Sequence, residues 1–400
     1  MRFTSQYSVF RFDPGEQDLA KPRWFAREGK LDAAEGEYRK AIGQNPDLQV
    51  AWLELFELLR RSGRFQDALE LTDAAQRHWG EHDAIPHTLR GAALVELGRA
   101  PEGLVELQKA IELDDTLFLA WHEYGYAAYR TGHATEALMA LDRAFALEAH
   151  TDTLMLRGRI LRDGGRFDAA EVAFQAATQA TDHDLPRREA EREILATRRA
   201  AALDGRRPRD FTARERWFVA DGGVLLLPDA PGAGGVAEGI AAALDWLVLL
   251  ARELQWRPAA VAGASSDDEP LAAMLAARFG AVAVGASALD PADTPLIVTA
   301  VADDREEWSK QLERLARWRT GWSFALFRRP GKPGADVVGL EADPASIDLS
   351  RVLPEGLARP VPPEVPLPSD VVTIARHPLA AWHERINDPT PPPGGRLTQP

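Results

Sequence analysis

Two textures of apolar and polar positions divide the chain. Up to about residue 203, apolar side chains recur at helical spacing, in pairs of short segments joined at a glycine. Such spacing gives each segment one apolar stripe and predicts amphipathic helices. Beyond residue 211 the pattern changes to short continuous apolar runs, at 222–228, 258–264, 281–285, 295–301, 321–327 and 336–340. Longer helical stretches at 237–255, 269–279 and 305–319 lie between them. Runs of this kind predict strands covered on both faces, and strand–helix alternation predicts a three-layer α/β domain with a mostly parallel sheet.

The helical half repeats itself. Gly29, Gly63, Gly98, Gly132 and Gly165 are separated by 34, 35, 34 and 33 residues. Five residues after each stands a small one: Ala34, Ala68, Gly103, Ala137, Ala170. Twelve after each is an alanine: Ala41, Ala75, Ala110, Ala144, Ala177. Nine after come Tyr38, Thr72, Leu107, Leu141 and Phe174, mostly large, and seven before the last three turn glycines come Gly91, Gly125 and Gly158. Each unit therefore reads as a helical hairpin turned at its glycine, with small residues where the helices cross and large ones filling the gap to the next hairpin. One hairpin cannot bury its apolar face alone, so five stacked units share a core.

On these residues, 15–180 resembles the tetratricopeptide repeat family, with Trp52, Trp121 and Pro46 where that family often carries tryptophan and proline. Departures are Thr72, Gly103 in place of alanine, and Pro22 where glycine is usual. The resemblance implies an all-α superhelix of five hairpins. The more polar stretch 181–204 is expected to be its capping helix, and 205–210 a Gly- and Pro-punctuated linker. Residues 1–14 form a separate N-terminal segment, 211–353 the α/β domain, and 354–400, with 12 of the 28 prolines, an extended tail. Within that tail 378–386 has helical spacing, with Trp382 and Ile386 on one face.

Two segments of the second half raise the question of a ligand. Gly232, Gly234 and Gly235 fit a G-x-G-x-x-A spacing between a strand and a helix. Pro228–Pro231 separates them from the strand, Asp229 would sit beside the phosphates, and Asp267 and Asp268 fall about ten residues too late to hold a ribose. They equally well cap the helix that begins at Glu269. The order of segments 258–284 and 293–315 also resembles type I phosphoribosyltransferases. That family's phosphate loop of hydroxyl and glycine residues is replaced here by Ala302-Asp-Asp-Arg-Glu-Glu, and four acids would repel a phosphate. No cofactor is expected, and the domain reads as non-catalytic.

Composition narrows the choice further. There is no cysteine, which excludes disulfides, thiol nucleophiles and cysteine-ligated metals. His78, His82 and His87 lack a helical pairing with carboxylates, so no metal site is expected. The longest apolar run, Ile240–Ala251, is interrupted by Asp245 and is shorter than the ~20 residues of a spanning helix. With no apolar leader at the start, the cytoplasm is the expected compartment. A net charge of −14 argues against coating a phosphate backbone, although 186–209 carries eight arginines and four acids. Only six basic residues are lysine, a bias that reads as the codon usage of a GC-rich bacterium.

The resemblance also implies that the first helix of each hairpin lines a concave groove. Phasing against the turn glycines places Arg23 and Arg27 there, then Glu57, Arg60 and Arg61. Repeat three adds Thr88, Ala92, Val95 and Glu96; repeat four adds His122, Tyr126, Tyr129 and Arg130; repeat five adds Met155, Arg159, Arg162 and Asp163. Seven arginines against three acids suit an acidic peptide or partner protein, Arg giving bidentate hydrogen bonds and Tyr rigid area. Two bland alternatives stand beside this: the arginines pair with acids of the chain itself, or the tail fills the groove. The expected function is an interaction scaffold or adaptor. The alternative is a nucleotide- or phosphosugar-binding enzyme whose repeats recruit a partner.

Overall fold

The computed structural model describes residues 19–203, 206–227, 236–302, 306–318, 321–328, 335–340, 367–377 and 380. The chain divides into two compact units, Met1–Ile194 and Leu195–Pro400, with the division inside one helix. The segment 1–14, the glycines at 232, 234 and 235, residues 303–305, Trp382 and Ile386 lie outside the described residues.

The first unit is five helical hairpins: α1 (Ala20–Arg27) with α2 (Leu31–Gln44), α3 (Gln49–Arg61) with α4 (Phe65–Trp79), α5 (Ala84–Glu96) with α6 (Ala100–Leu113), α7 (Phe118–Arg130) with α8 (Ala134–Leu147), and α9 (Thr151–Asp163) with α10 (Phe167–Gln179). All five turn glycines are left-handed, with φ from +71° to +85°, a region costly for any residue with a Cβ. After each glycine the next N–H reaches back five residues to a helix carbonyl, as Arg64 to Leu59 (3.0 Å) and His133 to Ala128 (2.8 Å). That bond satisfies a carbonyl the helix end leaves open. The indole N–H groups of Trp52 and Trp121 donate to the carbonyls of Pro46 and Asp115, both at 2.9 Å, tying each inter-hairpin loop to the helix after it.

The large residues pack within their own hairpins first, not only between neighbours as the spacing suggested. A Cβ on Gly91 would lie 2.5 Å from Leu107, one on Gly125 2.8 Å from Leu141, and one on Gly158 2.6 Å from Phe174. Leu107 then shares a cluster with Ala127 of the following hairpin. Repeat two exchanges the sizes: Phe56 stands at the glycine position and Thr72 opposite, both buried. Gly103 departs from alanine because its helix meets Gly91 there, where a Cβ would stand 2.7 Å from a backbone oxygen. α11 (Asp184–Ala201) closes the stack through Ala190 and Ile194, packed with Phe174 and Ala177.

The second unit opens with α12 (Ala213–Asp221), a helix the apolar pattern did not announce. Thr212 and Glu215 form a reciprocal cap at its start, and Gly222 (φ +70°) ends it. The sheet comprises β1 (Val224–Leu227), β2 (Ala260–Gly263), β3 (Val282–Ala283), β4 (Leu296–Ala302), β5 (Trp322–Arg328) and β6 (Val337–Leu340), in the order β1-β6-β5-β4-β2-β3. Every described pairing is parallel. Alternate residues enter two clusters. Val224, Val261, Val298 and Phe324 join α13 (Val236–Glu253), α14 (Glu269–Phe279) and α16 (Ser369–Ala375). Leu225, Ala262, Ile297 and Ala325 join Trp308 and Leu315 of α15 (Glu306–Trp318). Part of the segment read as an extended tail is thus core: Val371 and Ile374 of α16 are buried on the sheet.

Candidate functional site

Among the described residues two places gather polar side chains against an unusual background. One is the face formed by the first helices of the hairpins, and the other is the carboxyl end of β2 and β4.

On the first-helix face most of the arginines are committed to acids. Arg23 grips the Glu54 carboxylate through Nε and Nη2 (2.9 and 2.6 Å), and the Tyr38 hydroxyl donates to the same carboxylate at 2.8 Å. Arg60 donates to Glu57 (2.9 Å) and, across 63 residues, to Glu123 (3.0 Å), while Arg61 takes the other oxygen of Glu57 at 2.8 Å. Arg159 donates to Glu193 and Glu189, both at 2.9 Å, and Arg162 pairs with Glu193. The capping helix therefore supplies acids to the groove as well as closing the core. Arg130 donates to the Tyr126 hydroxyl at 2.8 Å and stacks 5.6 Å from its ring centre. Tyr129 donates to Asp163. Arg27 is exposed and reaches the Arg23 carbonyl at 3.4 Å.

These pairs match the first of the two alternatives set beside the acidic ligand above, arginines meeting acids of the chain itself. Counting a narrow stripe per helix finds the arginines but misses Glu54, Glu123, Glu189 and Glu193. Glu123 lies one residue round from His122, and the last two lie on the cap. Opposite charges drawn together on a half-buried face neutralise one another. His122 is also no cation: burial foremost, with His150 and Arg60 adding, pushes it down to about 3, and its Nδ1 lies 3.0 Å from the Thr153 hydroxyl.

What the face does offer is a pocket. Leu53, Phe56, Glu57 and Arg60 of α3, Thr88, Leu89 and Ala92 of α5, and Phe118, Leu119 and Glu123 of α7 enclose about 450 Å³ of space, part of it open to solvent. α5 contributes the small side chains of Thr88 and Ala92 to the lining, and α3 and α7 contribute longer ones. The bridged pair Arg60 and Glu123 belongs to the same lining. Thr88 and Ala92 were in the sequence set; Leu53, Phe56, Phe118 and Leu119 were not. Phe56 lies one residue round from Glu57, and extending each stripe one turn toward the start of its helix would have found Leu53, Phe118 and Leu119.

Glu96 stands one turn beyond Ala92 on the same face of α5. It is half-buried and, among the described residues, accepts no hydrogen bond and forms no ion pair within 4 Å. Burial foremost pushes its carboxyl above the ordinary range; Glu123 and Glu57 push the same way, while Arg60 and Arg130 oppose.

The second place is the switch point of the sheet, where the chain leaves β2 first for β3 and then for β4. Open α/β sheets place ligands in such crevices. Here the buried Asp268 occupies it. Its Oδ1 accepts from the Ala300 N–H (2.8 Å) and the Thr299 hydroxyl (3.2 Å). Its Oδ2 accepts from the Ser265 N–H (3.2 Å) and hydroxyl (2.8 Å). β4 outruns β2, so Ala300 has no strand partner on that side, and the carboxylate supplies the missing acceptor. The capping role weighed for Asp268 is thus directed back to Ser265 and across to β4. Asp336 does similar work at the other end, accepting from the Ser323 N–H at 2.7 Å and hydroxyl at 2.9 Å. Both carboxylates hold backbone and hydroxyl donors of the strands and the loop beside them.

Among the described residues no group of three or more His, Cys, Asp or Glu could hold a metal ion. His87 is held by Glu106 (2.7 Å) and the Glu81 carbonyl (3.1 Å), and His78 by Asp47 (2.8 Å). No helix among them is long and apolar enough to cross a membrane.

No protein-family profile matches the chain, and no curated protein does. Solved structures do match. A tetratricopeptide repeat protein of Thermus thermophilus, TTC0263, is 20% identical over 45% of this chain and 99% of its own, with a TM-score of 0.40. PilW, a type IV pilus biogenesis factor, is 16% identical over 49% and 90%, at 0.39. YrrB, a tetratricopeptide repeat protein with an unusual peptide-binding site, is 18% identical over 44% and 90%, at 0.29. The five hairpins of the first unit stand on this chain's own helices and turns.

Proposed function

We propose that the chain is a protein-interaction scaffold that receives a partner segment along the first-helix face, anchored by an apolar side chain in the Phe56–Ala92–Phe118 pocket. The pocket is the observation that carries this reading. An apolar concavity whose lining includes a bridged ion pair suits a single anchoring side chain flanked by polar contacts. The acidic ligand suggested by the arginine count gains little support, because such a ligand would have to displace Glu54, Glu123 or Glu193 from arginines that already hold them. The α/β unit is proposed as a non-catalytic companion. Its switch-point carboxylate is engaged by four donors, which supports a structural reading of that crevice over a phosphosugar site.

A photo-crosslinking residue at position 119, in the pocket lining, tests the groove against one at position 172, on the second helix of repeat five. The proposal expects partner adducts at 119 that disappear when Ala92→Leu fills the pocket. Equal adducts at both positions, or adducts at 119 that survive Ala92→Leu with the helical fold intact, overturn it.

A further inference from the structure

Among the described residues one acid of the groove, Glu96, has no donor, whereas most of its arginines already hold carboxylates. Arg23, Arg60, Arg159 and Arg162 each donate to a carboxylate of the same unit. An incoming carboxylate would leave one of those acids on a half-buried face without its cation, an exchange with no gain. Glu96 is the opposite case. It lies half-buried one turn from the pocket residue Ala92 with no donor among the described residues; burial disfavours its charge, Arg60 and Arg130 favour it from nearby, and Glu123 and Glu57 oppose them. Arg130, the nearest arginine not bound to an acid, is held on Tyr126 by a stack and a hydrogen bond.

Resting on the scaffold reading above, we infer that the groove selects a partner segment carrying a lysine or arginine close to its apolar anchor. The anchor fills the pocket, and the cation donates to Glu96. Charge complementarity carries the choice: a carboxylate without a donor beside an apolar pocket gains from a cation and loses from an anion. The geometry sets the spacing. Ala92 and Glu96 are four residues apart on one helix, about 6 Å of rise. An extended segment covers that in about two residues. The preferred pattern is an apolar residue with Lys or Arg one to three positions away. The net charge of −14 favours the same sign of partner at long range.

The test is selection of random twelve-residue peptides displayed on phage against the full chain. Enrichment of Lys or Arg within three residues of an apolar position is expected. Synthetic copies of the selected peptides should lose binding to Ala92→Leu, and to Leu119→Ala should the first variant fail to fold. They should bind Glu96→Gln about tenfold more weakly, the worth of one charge-assisted hydrogen bond. Selected peptides that ignore both pocket variants overturn the scaffold reading and this inference with it. Peptides that need the pocket yet are enriched in Asp or Glu, or bind Glu96→Gln unchanged, overturn the charge class alone. Full displacement by a synthetic peptide of residues 378–390, which contains Trp382 and Arg385, would assign the groove to the chain's own tail and overturn the external partner.

Discussion

The two units handle buried charge in contrasting ways. In the α/β unit, Asp268 and Asp336 are almost wholly buried and accept from backbone N–H groups at strand ends. In the repeat unit, Glu57, Glu123 and Glu193 accept from arginine side chains along a face that stays partly wet. A sheet with strands of unequal length leaves N–H groups that something must satisfy, and a fixed carboxylate does so. A helix satisfies its own backbone, so its carboxylates remain for side chains and, through them, for a partner. Charge in the first unit can therefore be rearranged by a ligand, whereas charge at the switch point of the second holds the fold.

Replacing Asp268 by Ala should have the largest effect. Ala300, Thr299 and Ser265 would lose their acceptor together, a cost of about 3–5 kcal/mol. Urea unfolding should show the loss, and hydrogen exchange should place it in 260–302. An unchanged midpoint would mean water replaces the carboxylate and the contrast fails. Next comes Arg60→Ala, which strips Glu57 and Glu123 of a shared cation at about 2–4 kcal/mol. Exchange should rise in α3 and α7 together; a rise in α3 alone would show that the bridge between them carries no energy.

Gly158→Ala tests the repeat packing. Its Cβ would meet the Phe174 ring at 2.6 Å, and overpacking of that kind costs about 1–3 kcal/mol. In a Phe174→Ala background, where the ring is gone, the same change should recover at least half of that cost; leucine would not relieve it, since Leu107 and Leu141 lie 2.5 and 2.8 Å from the equivalent Cβ. No recovery would mean the backbones, not the ring, set the distance.

These cases also mark what the sequence could and could not convey. The hairpins were legible because one weak pattern recurs in register, so Gly29 to Gly165 reinforce each other. Strand positions were legible from apolar runs, but β3 shrank to Val282–Ala283 at the sheet edge, and the spatial order depends on crossovers no local pattern encodes. α12 was missed because its apolar stripe is weak; Thr212, Glu215 and Gly222 were the available signals. The groove was half legible. Phasing found Arg60, Thr88, Ala92 and Glu96, but apart from Glu57 the acids that neutralise the arginines lie 30 to 63 residues away on other helices, as Arg159–Glu189 and Arg60–Glu123 do. A residue's own helix says where it points and not what it meets.

The smallest effect sharpens the comparison within a single residue pair. Arg61 and Arg60 are adjacent and share Glu57, yet the side chain of Arg61 is 43% exposed and that of Arg60 18%. Arg61→Ala leaves Glu57 with its buried cation and removes a pair that water and salt already screen, a cost of about 0.5 kcal/mol. The two should also part in their response to salt. At about 1 M salt the screening length falls to ~3 Å, so the Arg61→Ala difference should vanish in urea titrations while the Arg60→Ala difference persists. If both differences vanish, the Arg60 bridge is as solvated as a surface pair. The polar lining of the pocket would then be a loose collection of charges, with no fixed frame for a ligand to read.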